Sequence, residues 1–450
     1  MEASPSFAHK QAVRLLFTVL LLATTLASAQ DWVRTGTNLG AQKIRLAAAD
    51  FKLVGNDPAL STAQLTFNQV LFSDLTNAGI FDMVSKSLAP TTTPGSPQEV
   101  NLSQWSSPPA NSAMVAFGSI SVQNGRVIVF GWLFDAKNTQ SAQVLGQQYN
   151  EALTADTARH IAHEFADAII ARLGGGINGI AESKIFYVSD RSGNKEIWEM
   201  DYDGANQHQI THISSICLSP RISPDGNRLA FDELNSRGGN IRIYSMNLHR
   251  LVSFPIHDGT DYSPAWSPDG NNLAFSSSRS GDPEIWVTSV AGFGLRRITA
   301  YRGPDVSPVF NPKTGDQIAW ISGRTGLPQV YIMSSDGTNV QRMTDGGYAT
   351  SVSWSPNGQF LAFAWSRHYG PGAPGGQDIY VMDIASHRWE QLTHDIGRTD
   401  FPSWSPDGRH IVFQRTVHGH SEIWTMLADG TGQQALTTVG NGHMPNWSWK

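Results

Sequence analysis

The residues with most chemical potential sit on one stretch, Thr154–Gly176. There His160, His163, Glu164 and Asp167 fall at i, i+3, i+4 and i+7, a spacing that lines them along one side of a helix. Imidazoles and carboxylates so placed could ligate a metal, but the order H-x-x-H-E is not the H-E-x-x-H of zinc peptidases. Ile161, Phe165, Ala168, Ile169 and Leu173 mark the buried side of the same helix. A polar helix face with no metal and no other cofactor is the reading adopted. Acyl-enzyme hydrolysis needs a nucleophile elbow, G-x-S-x-G, and none occurs in the chain. The single cysteine, Cys217, permits no intramolecular disulfide. The expectation is a non-enzyme whose chemistry lies in binding.

The elements around these residues begin with a leader. His9, Lys10 and Arg14 precede the apolar run Leu15–Leu26, and Ala27-Ser28-Ala29 offers small residues before Gln30. This is the anatomy of a secretory signal over residues 1–29. Twelve helical residues rise roughly 18 Å, too short for a hydrocarbon core of roughly 30 Å, so a membrane anchor is disfavoured. No later run is apolar enough to span a bilayer, and no cysteine follows the signal for lipid attachment. A periplasmic location is expected, with no transmembrane segment in the mature protein. Beyond the signal stand 30 basic and 37 acidic residues, a net of −7, which does not favour nucleic acid.

Residues 43–176 read as a small α/β domain. Lys43–Phe51 is a buried strand. Ser61–Gly79 is a helix with Ser61 as N-cap and Leu65, Val70, Leu71 and Leu75 on its apolar face. Ala113–Ala136 is a hairpin around Asn124-Gly125, and Thr154–Gly176 is a second helix. Ala89–Ala110, rich in Pro, Ser and Thr, reads as an exposed loop. Residues 30–42 are expected to form a flexible arm and 177–183 a linker.

From residue 184 the chain repeats itself. The phrase S-P-[DN]-G begins at Ser223, Ser267, Ser355 and Ser405, with a degenerate copy at Asn311 and a fragment that puts Ser448 in phase. The intervals are 44, 44, 44, 50 and 43, the long one containing the Gly/Pro insert Arg367–Asp378. A second phrase ends at Trp198, Tyr244, Trp286, Tyr331, Tyr380 and Trp424. Its aromatic residues alternate with Ile or Val and are expected to pack between units. Each unit reads as four short strands, with Ser267-Pro268-Asp269-Gly270 a turn in which Pro presets φ and Gly tolerates a positive one. Four strands per repeat of this length indicate an all-β propeller. The first unit lacks an innermost strand and residues 444–449 supply one, so six blades are expected over 184–450, closed by the C-terminal strand.

The spelling "SPAWSPDGNNLAFSSSRSGDPEIW" (Ser263–Trp286), behind a signal peptide and a small α/β domain, resembles the TolB-like six-bladed propeller family over nearly the whole mature chain. Peptidase-associated propellers share the repeat. Departures are "NPKTGD" in blade four and "SVSW", without proline, in blade five. The resemblance implies a non-catalytic protein of the Tol–Pal cell-envelope system, supporting outer-membrane integrity and constriction at division. It implies that the lipoprotein Pal binds at the mouth of the propeller channel and the inner-membrane protein TolA at the N-terminal segment. Other outer-membrane proteins and bacteriocins are further implied partners. Alternatives carried alongside are a propeller that binds carbohydrate or peptidoglycan fragments and, less favoured, a peptidase-associated one.

Loops from an outermost strand to the next innermost strand gather at one mouth. There the candidate contacts are Leu218, Asp261, Tyr262, Ser263, Asp305, Val306, Thr350, Ser351, Asp400, Phe401 and His443. Carboxylates, aromatics and hydroxyls in a ring suit a polypeptide ligand. The candidate TolA contacts are Asp31, Trp32, Val33, Arg34, Thr35, Gly36 and Thr37, whose removal is expected to leave thermal stability nearly intact.

Overall fold

The computed structural model describes residues 31–449 apart from 237, 256–258, 372–375 and 395. The signal-peptide reading and Lys450 lie outside the described residues. Among the described residues no helix is long and apolar enough to cross a membrane.

The first domain is a six-stranded sheet covered on both faces. Its strands are β1 (Ile44–Ala48), β2 (Lys52–Val54), β3 (Phe81–Met83), β4 (Met114–Gln123), β5 (Arg126–Asp135) and β6 (Gln143–Ala152). They lie in the order β3-β1-β4-β5-β6, with β2 beside β4. Parallel pairing joins β1 to β3 and β4, and β4-β5-β6 is an antiparallel meander. On one face α1 (Pro58–Asn77) and α2 (Thr157–Leu173) bury Phe51, Phe67, Phe165 and Ile169. Each such side chain contributes about 1.5–3 kcal/mol. Gly118 of β4 is obligatory there, because a Cβ would lie 2.0 Å from the Phe130 carbonyl and 2.3 Å from the Phe51 ring.

Several boundaries differ from expectation, each for a local reason. Asp57, not Ser61, caps α1, accepting from the Ala59 N–H at 2.8 Å with Pro58 behind it. Proline suits the first helical turn, where its missing N–H is not needed. Leu65 faces solvent, 68% exposed, while Phe67 of the same turn is buried. The segment 89–110 is not simply an exposed loop. It holds a short helix, Leu102–Ser106, whose Trp105 packs with Val115, Phe117 and Phe134 on the second face of the sheet. β6 is an element the sequence pattern did not announce.

The propeller has six four-stranded antiparallel sheets. The innermost strands are Gly442–Trp447, Ile216–Ile222, Asp261–Trp266, Asp305–Phe310, Tyr348–Trp354 and Arg398–Trp404, for blades one to six. Blade one joins the ends of the propeller, with Gly442 opposite Ser189 and Trp447 opposite Ile185. Ser448 N–H donates to the Lys184 carbonyl at 2.8 Å, and the Trp447 indole N–H to Ser183 Oγ at 2.8 Å. The S-P-[DN]-G turn is held by its own side chains. Ser267 Oγ accepts from Asn272 N–H at 2.9 Å, Asp269 accepts from Asn271 N–H at 3.0 Å, and Gly270 takes φ +67°. In blade four Asn311 stands in for serine, accepting from Lys313 N–H at 3.0 Å across a turn one residue longer.

Innermost strands run from the mouth with the inter-blade loops to the mouth with these turns. The small domain sits over the second mouth's face. His410 Nε2 meets the Asn77 carbonyl at 2.7 Å, buried Arg409 donates to the Gly174 carbonyl at 3.0 Å, and Tyr202 donates to Asp74 at 2.6 Å. Arg159 pairs with Asp201 at 3.1 Å and also with Asp203. The segment 177–183 is part of this contact, since Ile180 and Ala181 are buried and Asp167 accepts from Ala181 N–H at 3.0 Å.

Candidate functional site

The first mouth repeats one backbone device six times. Ser219, Ser263, Ser307, Ser351, Phe401 and Met444 all adopt positive φ, between 50° and 55°. At each, the pairing of the innermost strand slips by a bulge. Left-handed φ costs a non-glycine residue of order 1–3 kcal/mol, and such strain gathers at functional positions. The bulge turns the backbone N–H toward the preceding blade, where Ser263 donates to Asp232 at 2.8 Å, Ser307 to Ser276 at 3.0 Å and Met444 to Gln414 at 3.2 Å. Two consecutive residues per blade are thereby presented at the opening.

Among the expected contacts, Leu218, Tyr262, Ser263, Val306, Thr350, Ser351, Phe401 and His443 are half-buried members of this ring. The three aspartates differ. Asp261 is buried, and Arg279 Nη2 donates to both its oxygens at 2.8 Å. Asp305 is wholly buried, receiving Arg324 at 2.9 Å and the Trp320 indole at 3.0 Å. Asp400 accepts from Arg398, Thr350 and Phe401 N–H. These carboxylates brace the loops through bonds within the propeller. The arginines Arg279 and Arg324 also lie over Trp286 and Tyr331, at 4.8 and 4.9 Å.

Burial, with Asp232 nearby, pushes the Tyr262 hydroxyl up to about 12. Burial and Lys195 hold His443 below the usual histidine range, partly offset by Asp190, so its ring is neutral at pH 7. Ser219, Ser307 and Met444 were missed by the sequence reading, although they sit in phase with Ser263. Tyr301 and Tyr369 were missed too. Both are 56% exposed, and Tyr369 lies 4.8 Å from Tyr348. They add an aromatic outer rim beside the ring.

The N-terminal segment is not a free arm. Asp31–Gly36 is a helix. Val33 is fully buried and Leu39 nearly so, within a cluster containing Phe360, Leu392 and Trp404 of blades five and six. Trp32 lies 5.6 Å from the Phe360 ring with Arg388 over it at 5.7 Å, and Arg34 reaches Asp429 at 3.6 Å. Thr37 is buried, bonded through Oγ1 to the Val33 carbonyl at 2.7 Å. Arg34 and Thr35 are exposed. Gly36 packs so tightly that a Cβ would lie 2.2 Å from Phe360. Sequence polarity suggested fraying, but a two-anchor contact, Val33 and Leu39, was too short a pattern to register.

The polar helix face divides in the structure. His163 turns inward to Asp74 at 2.7 Å, whereas His160 meets Glu151 at 3.1 Å and Glu182 at 3.6 Å. Glu151, His160 and Glu164 offer ligand atoms within 4.8 Å of one another. Exposed carboxylates and imidazoles commonly cluster in this way without an ion.

Fold and site together define a two-domain propeller protein with one mouth uncovered and the other face carrying a small α/β domain. The TolB beta propeller domain matches residues 172–370 and 350–450, and the TolB amino-terminal domain matches 37–142. The chain belongs to the TolB family. It is similar to the Tol-Pal system protein TolB of Roseobacter denitrificans, 30% identical over 245 residues, which are 53% of this chain and 52% of that protein. The protein of the same name from Geobacter metallireducens is 33% identical over 216 residues, 48% of each chain. The chain thus spans about half the length of the curated relatives it matches. The crystal structure of TolB from Acinetobacter baumannii has the same fold, with TM-score 0.74 at 23% identity over 91% of this chain and 97% of that one.

Proposed function

We propose that this chain is a non-catalytic, periplasmic interaction protein of the Tol–Pal system, holding Pal at the uncovered mouth and engaging TolA through residues 31–37. In this role it supports outer-membrane integrity and constriction at division. The observation that carries the reading is the sixfold bulge with the aromatics Tyr262 and Phe401 on the ring, at the mouth away from the small domain's contacts at Asp201–Tyr202 and Arg409–His410 among the described residues. Large, rigid side chains around a depression are the usual anchors of a protein interface. TolA binding requires Trp32 and Val33 to leave their packing on blades five and six, so the segment exchanges between a docked and a released form. Pal alters TolA binding only to the extent that its affinity differs between these forms.

The test is calorimetric titration with the periplasmic domain of Pal. Replacing both Tyr262 and Phe401 by alanine removes two anchors, each worth about 2 kcal/mol at a hot spot, and weakens binding by two orders of magnitude or more with the melting temperature held. Asp261 is unsuitable for this purpose, because its loss strands Arg279. Unchanged affinity in the double variant places the partner elsewhere.

A further inference from the structure

The channel's other mouth, beside the small domain, opens into a vestibule of about 740 Å³ counting its solvent-open rim, walled by Trp266, Phe310, Trp354 and Trp404. In three blades, the residue before the last of the innermost strand closes onto the next blade. Asn446 Oδ1 accepts from Ile222 N–H at 3.1 Å, Ser403 Oγ from Trp447 N–H at 3.0 Å, and Ser353 Oγ from Trp404 N–H at 3.4 Å.

In the other three blades, which are contiguous, the same position holds Arg221, Ala265 and Val309. None of these side chains offers a hydrogen-bond acceptor. The N–H groups they face by the repeat are those of Trp266, Phe310 and Trp354. The sheet does not take them either. Ser267, Asn311 and Ser355, one residue on, make the ladder bonds to the second strand, and antiparallel alternation turns the preceding N–H away from it. Arg221 lines the same half of the vestibule. Its Nη1 donates to the Pro220 carbonyl at 2.9 Å, and among the described residues no carboxylate forms an ion pair with it. Burial raises its acidic neighbour Asp232 to about 7, against the pull of Ser219, Ser263 N–H and Arg221 itself. The guanidinium charge is therefore only partly balanced.

We propose that this half-ring is a binding site for a small organic carboxylate with an apolar or aromatic body. The guanidinium and the three N–H groups receive the anionic oxygens, and the Trp and Phe walls receive the body. Backbone N–H groups converging with an arginine are a recurrent way to hold such a group. The site lies at the opposite mouth from the docking ring and does not depend on it.

The test uses the full mature chain, with benzoate as probe and benzamide as its neutral counterpart, followed by titration calorimetry and tryptophan fluorescence. Benzoate is expected to saturate one site and to bind about tenfold or more tightly than benzamide. Arg221→Met is expected to weaken benzoate by a similar factor. Val309→Ser supplies the Oγ that Ser353 and Ser403 already provide in sister blades. It is therefore expected to fold normally, occupy the Trp354 N–H and weaken benzoate severalfold. Absence of saturation, equal binding of benzamide, or full benzoate affinity in Val309→Ser overturns the assignment.

Discussion

Replacing Val33 by alanine examines whether the N-terminal segment is part of the folded molecule. Val33 has no solvent exposure and contacts the Phe360 cluster. Removing two methyl groups costs about 0.8 kcal/mol each in transfer, plus a cavity contribution, giving about 2–3 kcal/mol. The remainder of the propeller keeps its own contacts, so this loss falls on docking of the segment. The amides of Thr37 and Gly40, bonded to the Val33 and Arg34 carbonyls at 2.9 Å, report that equilibrium directly. At about 1.4 kcal/mol per factor of ten, their hydrogen exchange is expected to accelerate about 30- to 150-fold. Amides of the Phe360–Ser366 strand should keep their rates, apart from those under Val33. The melting temperature falls only until the docking energy is exhausted. Deleting 31–40 gives that ceiling, and a measurable drop is expected, against the near-intact stability inferred from sequence. Unaltered exchange at Thr37 and Gly40 in Val33→Ala would refute the packing argument.

Three further outcomes follow from the same contacts. Removing 442–450 leaves the strand Lys184–Ser189 with an open edge and takes Trp447 away from Ile185 and Tyr187, and the propeller is expected to lose cooperative melting, read by calorimetry. Asp232→Asn tests a buried carboxyl whose folded pKa of about 7 exceeds the ordinary value near 4. The native parent holds this proton more tightly, so its stability falls as pH rises from about 4 to 7, by up to about 4 kcal/mol. The asparagine variant should therefore gain in relative melting temperature between pH 5 and 8, and a pH-independent difference would contradict this. Arg409→Met removes the buried donor to Gly174 and should speed proteolytic cleavage within 174–183, with the isolated propeller as product.

The propeller was readable because its signals recur. A turn spelled S-P-[DN]-G four times, with one degenerate copy, at nearly constant interval, needs no tertiary information. The channel mouth was half legible. Phase alone located Tyr262 and Phe401, but not that Asp261 and Asp305 are consumed by Arg279 and Arg324, since a carboxylate's partner 18 or 19 residues away leaves no local pattern. The α/β domain was the least regular part. Ser61 lost to Asp57 as cap because Pro58 already begins the helix, and Trp105 is buried in a segment whose composition reads as loop. The vestibule chemistry was invisible, because it consists of acceptors missing from three positions out of six.

The pairing of Gly442–Trp447 with Lys184–Ser189 spans more than 250 residues of chain. Contacts so distant in sequence form late and slowly. Until the last of these residues becomes available, the inner edge of Lys184–Ser189 stays unsealed, and the growing polypeptide has only part of its final barrier against unravelling. The ring is therefore sealed only once both ends of the propeller are present together.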